Sequence, residues 1–581
     1  MIDFPLELSP AEAASEQALA EVFGCLERGE SFILEAGAGA GKTYSLIKAL
    51  QFLIKRDQSL LPRYNQKIAC ITFTNVAKDE IESRTDKSPL IHCNTIHAYC
   101  WSLINRFQKQ LRERLPQIDN WAEKIEEVGG LGERLVEYSL GHRSIKEDRV
   151  SIHHDDVLPL TIWLMENEKF RRILTDKYPV ILIDEYQDTN DGWINSIREH
   201  FLGKPNSPQF GFFGDHWQKI YGDGCGKIEH PALISIGKKA NFRSVSTIVN
   251  CLNRMRPELP QFVKDPVDTG SIQIFHTNDW TGIRQTSAHW RGDLPEEASQ
   301  TAVTNIIEHL IQQGWDLSSE KTKILMLTHR ALANRQGYGS IPSIFRSNDV
   351  FTKKEHCHIA FFVDKLEPSC DAYALKRYGQ MFAVLGGKLS GIVNQADKLE
   401  WSLSMDRLRL LRDNGTVGEV VAHLRETHRP RLPDEVERLE RGLETFDKTS
   451  GEEAPRALRE LEELHAVPYK EIVSLARYLD GHSPFETKHG VKGAEFENVL
   501  IVVGRGWNQY NFNEMLELAQ NVGSIPASKL LSFERNRNLF YVACSRPKRR
   551  LAVLFTQKLS DTAMQTVRAW FGAEVVENFH I

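Results

Sequence analysis

Long apolar runs are missing from this chain: none of its 581 residues lies in a segment hydrophobic enough, for long enough, to cross a bilayer, so no membrane partner is expected. The opening residues Met1-Ile2-Asp3-Phe4-Pro5 lack the basic start and apolar core of a secretory signal, and a cytoplasmic location is expected. Cysteine is sparse. The nine thiols are scattered from Cys25 to Cys544 without the paired spacing of a zinc module, which reads as reduced, mostly buried side chains. The one tight group, His356-Cys357-His358, is not expected to bind metal, because neighbours in an extended segment point to opposite faces and no second ligand cluster lies nearby. Excess positive charge is missing too. A formal charge of −6 excludes a protein that coats nucleic acid by bulk attraction, but leaves room for a local groove holding one strand.

What is present is a nucleotide signature. The apolar run Phe32-Ile33-Leu34 leads through Glu35 into Ala36-Gly37-Ala38-Gly39-Ala40-Gly41-Lys42-Thr43, and the helix-favouring Tyr44-Ser45-Leu46-Ile47 follows. Glycines let backbone N–H groups turn inward around a triphosphate, Lys42 offers a point charge to its β- and γ-phosphates, and the Thr43 hydroxyl can join a Mg²⁺ shell. Ala36 replaces the usual first glycine, which costs nothing if its φ is negative. Such a loop needs a carboxylate at the end of a buried strand. Val180-Ile181-Leu182-Ile183 is such a strand, and Asp184-Glu185 follows it, Asp184 suited to the Mg²⁺ shell and Glu185 to orienting and deprotonating water. Further strands, Ile68–Phe73 and Phe210–Phe213, end in polar residues that would share the same sheet edge. The length predicts roughly three or four compact units.

The order of these words resembles that of the superfamily 1A DNA helicases of the UvrD, Rep and PcrA type, over nearly the whole chain. Gln17 matches the upstream glutamine that reads adenine. Thr72-Phe73-Thr74-Asn75 and Asn94-Thr95-Ile96-His97 resemble the family's strand-contacting segments, which implies DNA contacts for Phe73, Thr74, Asn75, Thr95 and His97. Gly214-Asp215-His216-Trp217-Gln218-Lys219-Ile220-Tyr221 is similar to the coupling segment; Gln218 would sense the γ-phosphate and Tyr221 would face DNA. Asn241-Phe242-Arg243-Ser244 implies Phe242 against the base and Arg243 on the γ-phosphate. Late in the chain, Thr487, His489 and Glu495 fall in the family's His-x-Ala-Lys-Gly-Leu-Glu-Phe region, Glu495 on the nucleotide and the other two on DNA. Tyr541-Val542-Ala543-Cys544-Ser545-Arg546 resembles the ending that carries an arginine finger, Arg546.

The resemblance implies an α/β fold of two RecA-like parallel-sheet lobes, each interrupted by a mainly helical inserted subdomain. The spacing places the first lobe at 1–89 and 171–270, its insert at 90–170, the second lobe at 271–339 and 482–581, and its insert at 340–481. The 90–170 segment reads as helix-friendly rather than strand-like. ATP and Mg²⁺ are the implied cofactors, single-stranded or tailed DNA the implied partner, and 3′→5′ movement the implied polarity. Two departures stand out. Gly222-Asp223-Gly224 replaces the aromatic that stacks on a base after the coupling segment, leaving Tyr221, Trp217 or Phe73 to substitute; Tyr44 stands where an arginine often packs on adenine. With only a short tail after Thr556, no nuclease domain is expected behind the motor. A second reading follows: a regulatory ATPase that senses DNA for a partner nuclease of the OLD family, as in the UvrD-like subunit of a Gabija antiphage system. A P-loop kinase or transporter ATPase would not be expected to carry the words of Gln218 and Arg546.

Overall fold

The computed structural model describes residues 8–581 apart from 119, 140–142, 221, 223, 288–289, 327–332, 334–335, 346–348, 387–391, 393, 447–452, 481–484, 487–493 and 506–509. Packing divides the chain into two compact units. One comprises Met1–Gln273, Phe512–Leu551 and Ser560–Val576; the other comprises Ile274–Asn511, Ala552–Leu559 and Glu577–Ile581.

The first unit opens with helix α1 (Pro10–Arg28), whose start is written locally. Ser9 accepts from the Glu12 backbone N–H while the Glu12 carboxylate accepts from the Ser9 N–H, Pro10 takes the first turn, and Gly29 ends the helix at φ 71°. The strands that follow are β1 (Phe32–Ala36), β2 (Ile68–Thr72), β3 (Ile91–Thr95), β4 (Leu135–Tyr138), β5 (Ser144–Ile145), β6 (Arg149–Ile152), β7 (Val180–Asp184), β8 (Gln209–Gly214) and β9 (Ile234–Lys238). Six of them form one sheet in the order β3-β2-β7-β8-β1-β9, every pair parallel. Strands β2, β7 and β8 are buried along their whole length, as strands covered by helices on both faces must be, and this explains their unbroken apolar runs. Because all six run the same way, the loop after Ala36, the residues after Thr72 and Thr95, Asp184, and Asp215 after β8 leave the sheet at one edge.

The span 90–170 is not purely helical. β3 at its start pairs with β2 in the main sheet, and β4, β5 and β6 build a separate three-stranded sheet in the order β4-β6-β5 around buried Val136, Val150 and Ile152. Strands of two to four residues are too short for a period-two pattern to stand out from the surrounding helical spacing, so composition alone favoured helix. A short parallel pair, β10 (Ala240–Asn241) and β11 (Phe262–Val263), completes the first unit's strands near the phosphate loop.

The remaining strands are β12 (Ser271–His276), β13 (Thr322–Met326), β14 (Phe485–Glu486), β15 (Phe496–Val503), β16 (Pro547–Phe555) and β17 (Val576–Asn578), in the sheet order β14-β13-β15-β16-β12-β17, with β13 parallel to both β14 and β15. The helix Glu296–Gln312 buries Val303, Ile306 and Leu310 and is followed by Gly314 at φ 80°, as its spacing and acidic first turn predict. Most of the rest of the second unit is helical; its core joins the β13 and β15 residues Ile324 and Leu500 to helix residues such as Leu408, Val421 and Leu475.

Candidate nucleotide site

The phosphate loop is shaped by β1 behind it and by β10 and β11 beside it. Gly39 and Gly41 sit at φ 72° and 74°, the left-handed region that glycine enters without penalty, whereas Ala36 is still extended strand, which is why alanine is tolerated there. Close approach adds a second constraint. A Cβ on Gly37 would stand 2.7 Å from Gln261 Nε2, and one on Gly39 would stand 2.8 Å from Asn241 Oδ1. Asn241 Nδ2 and Gln261 Nε2 each donate to the Ala38 carbonyl at 3.0 Å, and the Phe242 N–H donates to the Gly39 carbonyl at 2.9 Å. Helix α2 (Lys42–Asp57) starts directly after the loop and points its N-terminus, with the exposed partial positive charge of unpaired N–H groups, at the space the loop encloses. Lys238 donates to the Gly41 carbonyl at 3.2 Å and to Ser45 Oγ at 2.7 Å, and burial pushes its ammonium pKa down to about 8.

Lys42, Glu185, Gln218, Arg243 and Arg546, far apart along the chain, come together here. Lys42 Nζ is 3.5 Å from the Glu185 carboxylate. Glu185 adopts φ 47° and ψ 46°, a left-handed conformation that costs a non-glycine residue on the order of 1 kcal/mol and turns its side chain away from the strand direction set by Asp184. Arg243 Nη1 donates to the Ser545 carbonyl at 3.0 Å, and Arg546 donates through Nε to the Val542 carbonyl at 3.0 Å and through Nη2 to Gln218 Oε1 at 3.4 Å. Burial, then the nearby Arg243 charge, push the Arg546 guanidinium down to about 9, against the pull of Glu185. It remains charged at neutral pH. One buried and one half-buried guanidinium thus stand together, a concentration of positive charge suited to an anion.

The Gln218 carboxamide is fixed by a network that sequence reading missed. Gln218 Nε2 donates to Asp215 Oδ2 at 2.8 Å, and Arg256 Nη1 donates to Asp215 Oδ1 at 2.6 Å. Burial raises the Asp215 pKa, but Arg256 first and Lys42 next outweigh it, so the carboxyl is held below its usual range. Arg256 also lies 3.7 Å from Glu35, whose carboxylate accepts from the Tyr186 hydroxyl. Arg256 closes the helix Ser246–Met255 and belongs to no recognisable word; with Asn253 and Arg254 beside it, nothing local signals a buried, paired charge. Trp217 is 6% exposed, with Arg537 4.0 Å and Arg256 5.3 Å from its ring centre and Tyr541 edge-on. It therefore offers no face to a base, and the substitute platform expected of it is not there.

Two aromatic rings near the loop remain open: Tyr44, 47% exposed, and Phe242, 42% exposed. Lys48 and Lys238 place ammonium groups 5.4 and 5.7 Å from the Tyr44 ring centre. Gln17 lies on the exposed side of α1, donating to Glu21 at 3.3 Å. Glu495 is exposed and belongs to the second unit. At the ends of β2 and β3, Phe73 is 38% exposed, Thr74 caps the helix Asn75–Arg84 by accepting from the Ala77 N–H, and Thr95 precedes the helix Ile96–Ile104. His97 stacks on His154 with ring centres 3.4 Å apart. Tyr221, Thr487 and His489 lie outside the described residues. Thr43 lies in the first turn of α2, and Asp184, 4% exposed, ends β7, a hydroxyl and a carboxylate of the oxygen-donor kind that Mg²⁺ prefers.

The histidines at this edge give a measurable pH signature. Burial first, then neighbouring cations, lower His92 and His97 to about 4 from an ordinary value of 6.5. The unfolded chain protonates both at higher pH than the folded one, so their contribution to stability is present above about pH 6.5 and is lost as pH falls toward 4. Thermal midpoints measured from about pH 7 down to about 5 should fall, and His97→Gln should flatten that fall; an unchanged slope would remove His97 from the account.

Among the described residues no helix is long and apolar enough to cross a membrane. An AAA domain model matches residues 23–223, and a UvrD-like helicase C-terminal domain model matches residues 174–558. Gabija protein GajB of Bacillus cereus (strain HuB5-5) is 24% identical, over 97% of this chain and 99% of that protein. The ATP-dependent DNA helicase Rep of Buchnera aphidicola subsp. Baizongia pistaciae is 26% identical over 38% of this chain and 40% of Rep. The ATP-dependent DNA helicase PcrA of Staphylococcus aureus (strain Mu50 / ATCC 700699) is 23% identical over 38% of this chain and 37% of PcrA. With a helicase family model spanning more than half of its length, and with the phosphate loop and strand-end carboxylates in place, the chain belongs to the UvrD-like helicase family.

Proposed function

We propose that this chain is an ATP-dependent DNA helicase or translocase that binds single-stranded or tailed DNA and moves 3′→5′. The gathering of Lys42 and Arg546 near Glu185, with Arg243 beside Arg546, carries this reading, because three cations grouped with one carboxylate suit a triphosphate better than any neutral ligand. Lys42 neutralises the β- and γ-phosphates, Arg243 and Arg546 meet the charge that develops as the γ-phosphoryl group leaves, and Glu185 holds the attacking water and takes its proton. Mg²⁺, held through Thr43 and Asp184, adds charge neutralisation on the phosphate oxygens when bound. Gln218, tied to Arg546 on one side and to Asp215 on the other, carries news of the γ-phosphate into the helix Ala527–Cys544, whose Asn538 donates to the His216 and Lys219 carbonyls at 3.0 and 3.2 Å. Tyr44 and Phe242 take the adenine, with Gln17 and Glu495 as further nucleotide contacts. Phe73, Thr74, Asn75, Thr95, His97, Tyr221, Thr487 and His489 take the strand.

A second reading is favoured by one observation, the likeness to GajB along essentially both whole chains, where Rep and PcrA match over less than half. In it the same ATP site serves a DNA-sensing regulatory subunit of an antiphage complex, working with a partner nuclease of the OLD family. Tailed duplexes separate the two. Unwinding of 3′-tailed duplex by the purified chain supports the lone motor. DNA-stimulated ATP turnover without unwinding, together with co-purification of an OLD-family nuclease, supports the accessory role. Unwinding of only 5′-tailed duplex contradicts the proposed polarity.

A further inference from the structure

The second unit gathers a set of ligating side chains that nucleotide chemistry does not use. His356 lies just before the helix Cys357–Phe361, in an extended conformation at φ −80° and ψ 126°, so His356, Cys357 and His358 straddle a bend from a turn into a helix instead of alternating along an extended run. The bend brings one ring nitrogen from each histidine and the Cys357 Sγ within 4.8 Å of one another. Cys357 Sγ is 3.5 Å from His358 Nδ1. That separation is what a tetrahedral zinc ion imposes on a sulfur at about 2.3 Å and a nitrogen at about 2.0 Å, namely roughly 3.5 Å. His356 Nδ1 is buried and has no hydrogen-bond partner, a costly state for an imidazole nitrogen and one that a ligand would relieve.

The opposite edge of the fully buried His358 ring is already supported. Its Nε2 donates to Glu440 Oε1 at 2.6 Å, and Glu440, from the helix Asp434–Thr445, also accepts from His465 Nε2 at 2.9 Å. A carboxylate holding Nε2–H in place leaves Nδ1 deprotonated and aimed as a donor, the arrangement that orients metal-bound imidazoles. Access is open: of the nine thiols only Cys225 and Cys357 are not buried.

We propose that His356, Cys357 and His358 form a zinc site with one open coordination position, oriented by Glu440 and His465. Binding replaces the Cys357 S–H bond by a zinc–thiolate bond and releases that proton to solvent. The full chain, stripped with chelator and reduced, should take up one equivalent of Zn²⁺ by elemental analysis and show a thiolate-to-metal charge-transfer band with Co²⁺. Cys357→Ser should abolish the band and His356→Ala should lose the metal, Glu440→Gln should weaken binding by about 10–100-fold, and Cys225→Ser should change nothing. Absence of stoichiometric metal and of the band in the unmutated chain, a measurement that depends on no variant folding, overturns the site; so does full retention of the metal in His356→Ala.

Discussion

Replacing Arg546 by alanine should leave ATP bound with near-normal affinity and slow its hydrolysis by about a thousandfold or more, the usual worth of an arginine that meets charge developing in phosphoryl transfer. The geometry explains why the loss falls on turnover. Arg546 is fully buried, feels the like charge of Arg243 and the opposite charge of Glu185, and donates to the Val542 carbonyl and to Gln218. Its charge is fixed in place before the nucleotide arrives, and a fixed cation stabilises most where negative charge on the γ-phosphoryl oxygens is greatest. Ground-state affinity rests more on Lys42, the loop N–H groups and the α2 N-terminus. Arg546→Lys should recover little, since an ammonium cannot reproduce two parallel N–H donors. Fluorescent-nucleotide binding and steady-state turnover, measured on the same preparations, check this; normal turnover in Arg546→Ala would remove the residue from the reaction.

Replacing Arg256 by methionine should destabilise the fold by about 3–5 kcal/mol, because it strands the Asp215 carboxylate in a site that gives it no water. Both partners are almost fully enclosed, and their 2.6 Å contact is flanked by the Trp217 and Tyr541 rings. The loss should shrink in an Asp215→Asn background, where no buried charge is left unpaired; urea midpoints of the two single variants and the double variant measure that coupling. A second effect accompanies it. Asp215 also holds Gln218, so DNA-stimulated turnover should fall in Arg256→Met at temperatures where the protein is still folded. Additive energies across the cycle would show that Arg256 and Asp215 do not act as a pair.

These two residues also mark how far sequence reading reached. The phosphate loop was legible because its glycines and Lys42 sit in a fixed order between an apolar strand and a helix, and Asp184 and Glu185 because a buried parallel strand reads as an unbroken apolar run. Arg243 and Arg546 were found through resemblance, since nothing in local spacing says that residues about three hundred positions apart meet. Arg256 was invisible: an arginine at a helix end, two residues after Arg254, looks like a solvated charge until packing encloses it. Trp217 was misjudged for the converse reason, an aromatic in a functional segment that tertiary packing spent on two arginines. Short strands β4, β5 and β6 escaped because two to four residues cannot establish a period. His356-Cys357-His358 was set aside on the assumption of extended backbone, and the bend into a helix, with Glu440 and His465 arriving from distant helices, is a tertiary event.

The account turns on one nucleotide held by Lys42 at the phosphate loop and by Arg546 from the far end of the chain, with its turnover governed by DNA. Steady-state ATP hydrolysis by the purified chain, with and without single-stranded DNA, tests this most directly when run beside Lys42→Ala. The prediction is slow turnover alone, strong stimulation by single strands, and no activity in the variant; turnover indifferent to DNA, or surviving the loss of Lys42, would contradict it.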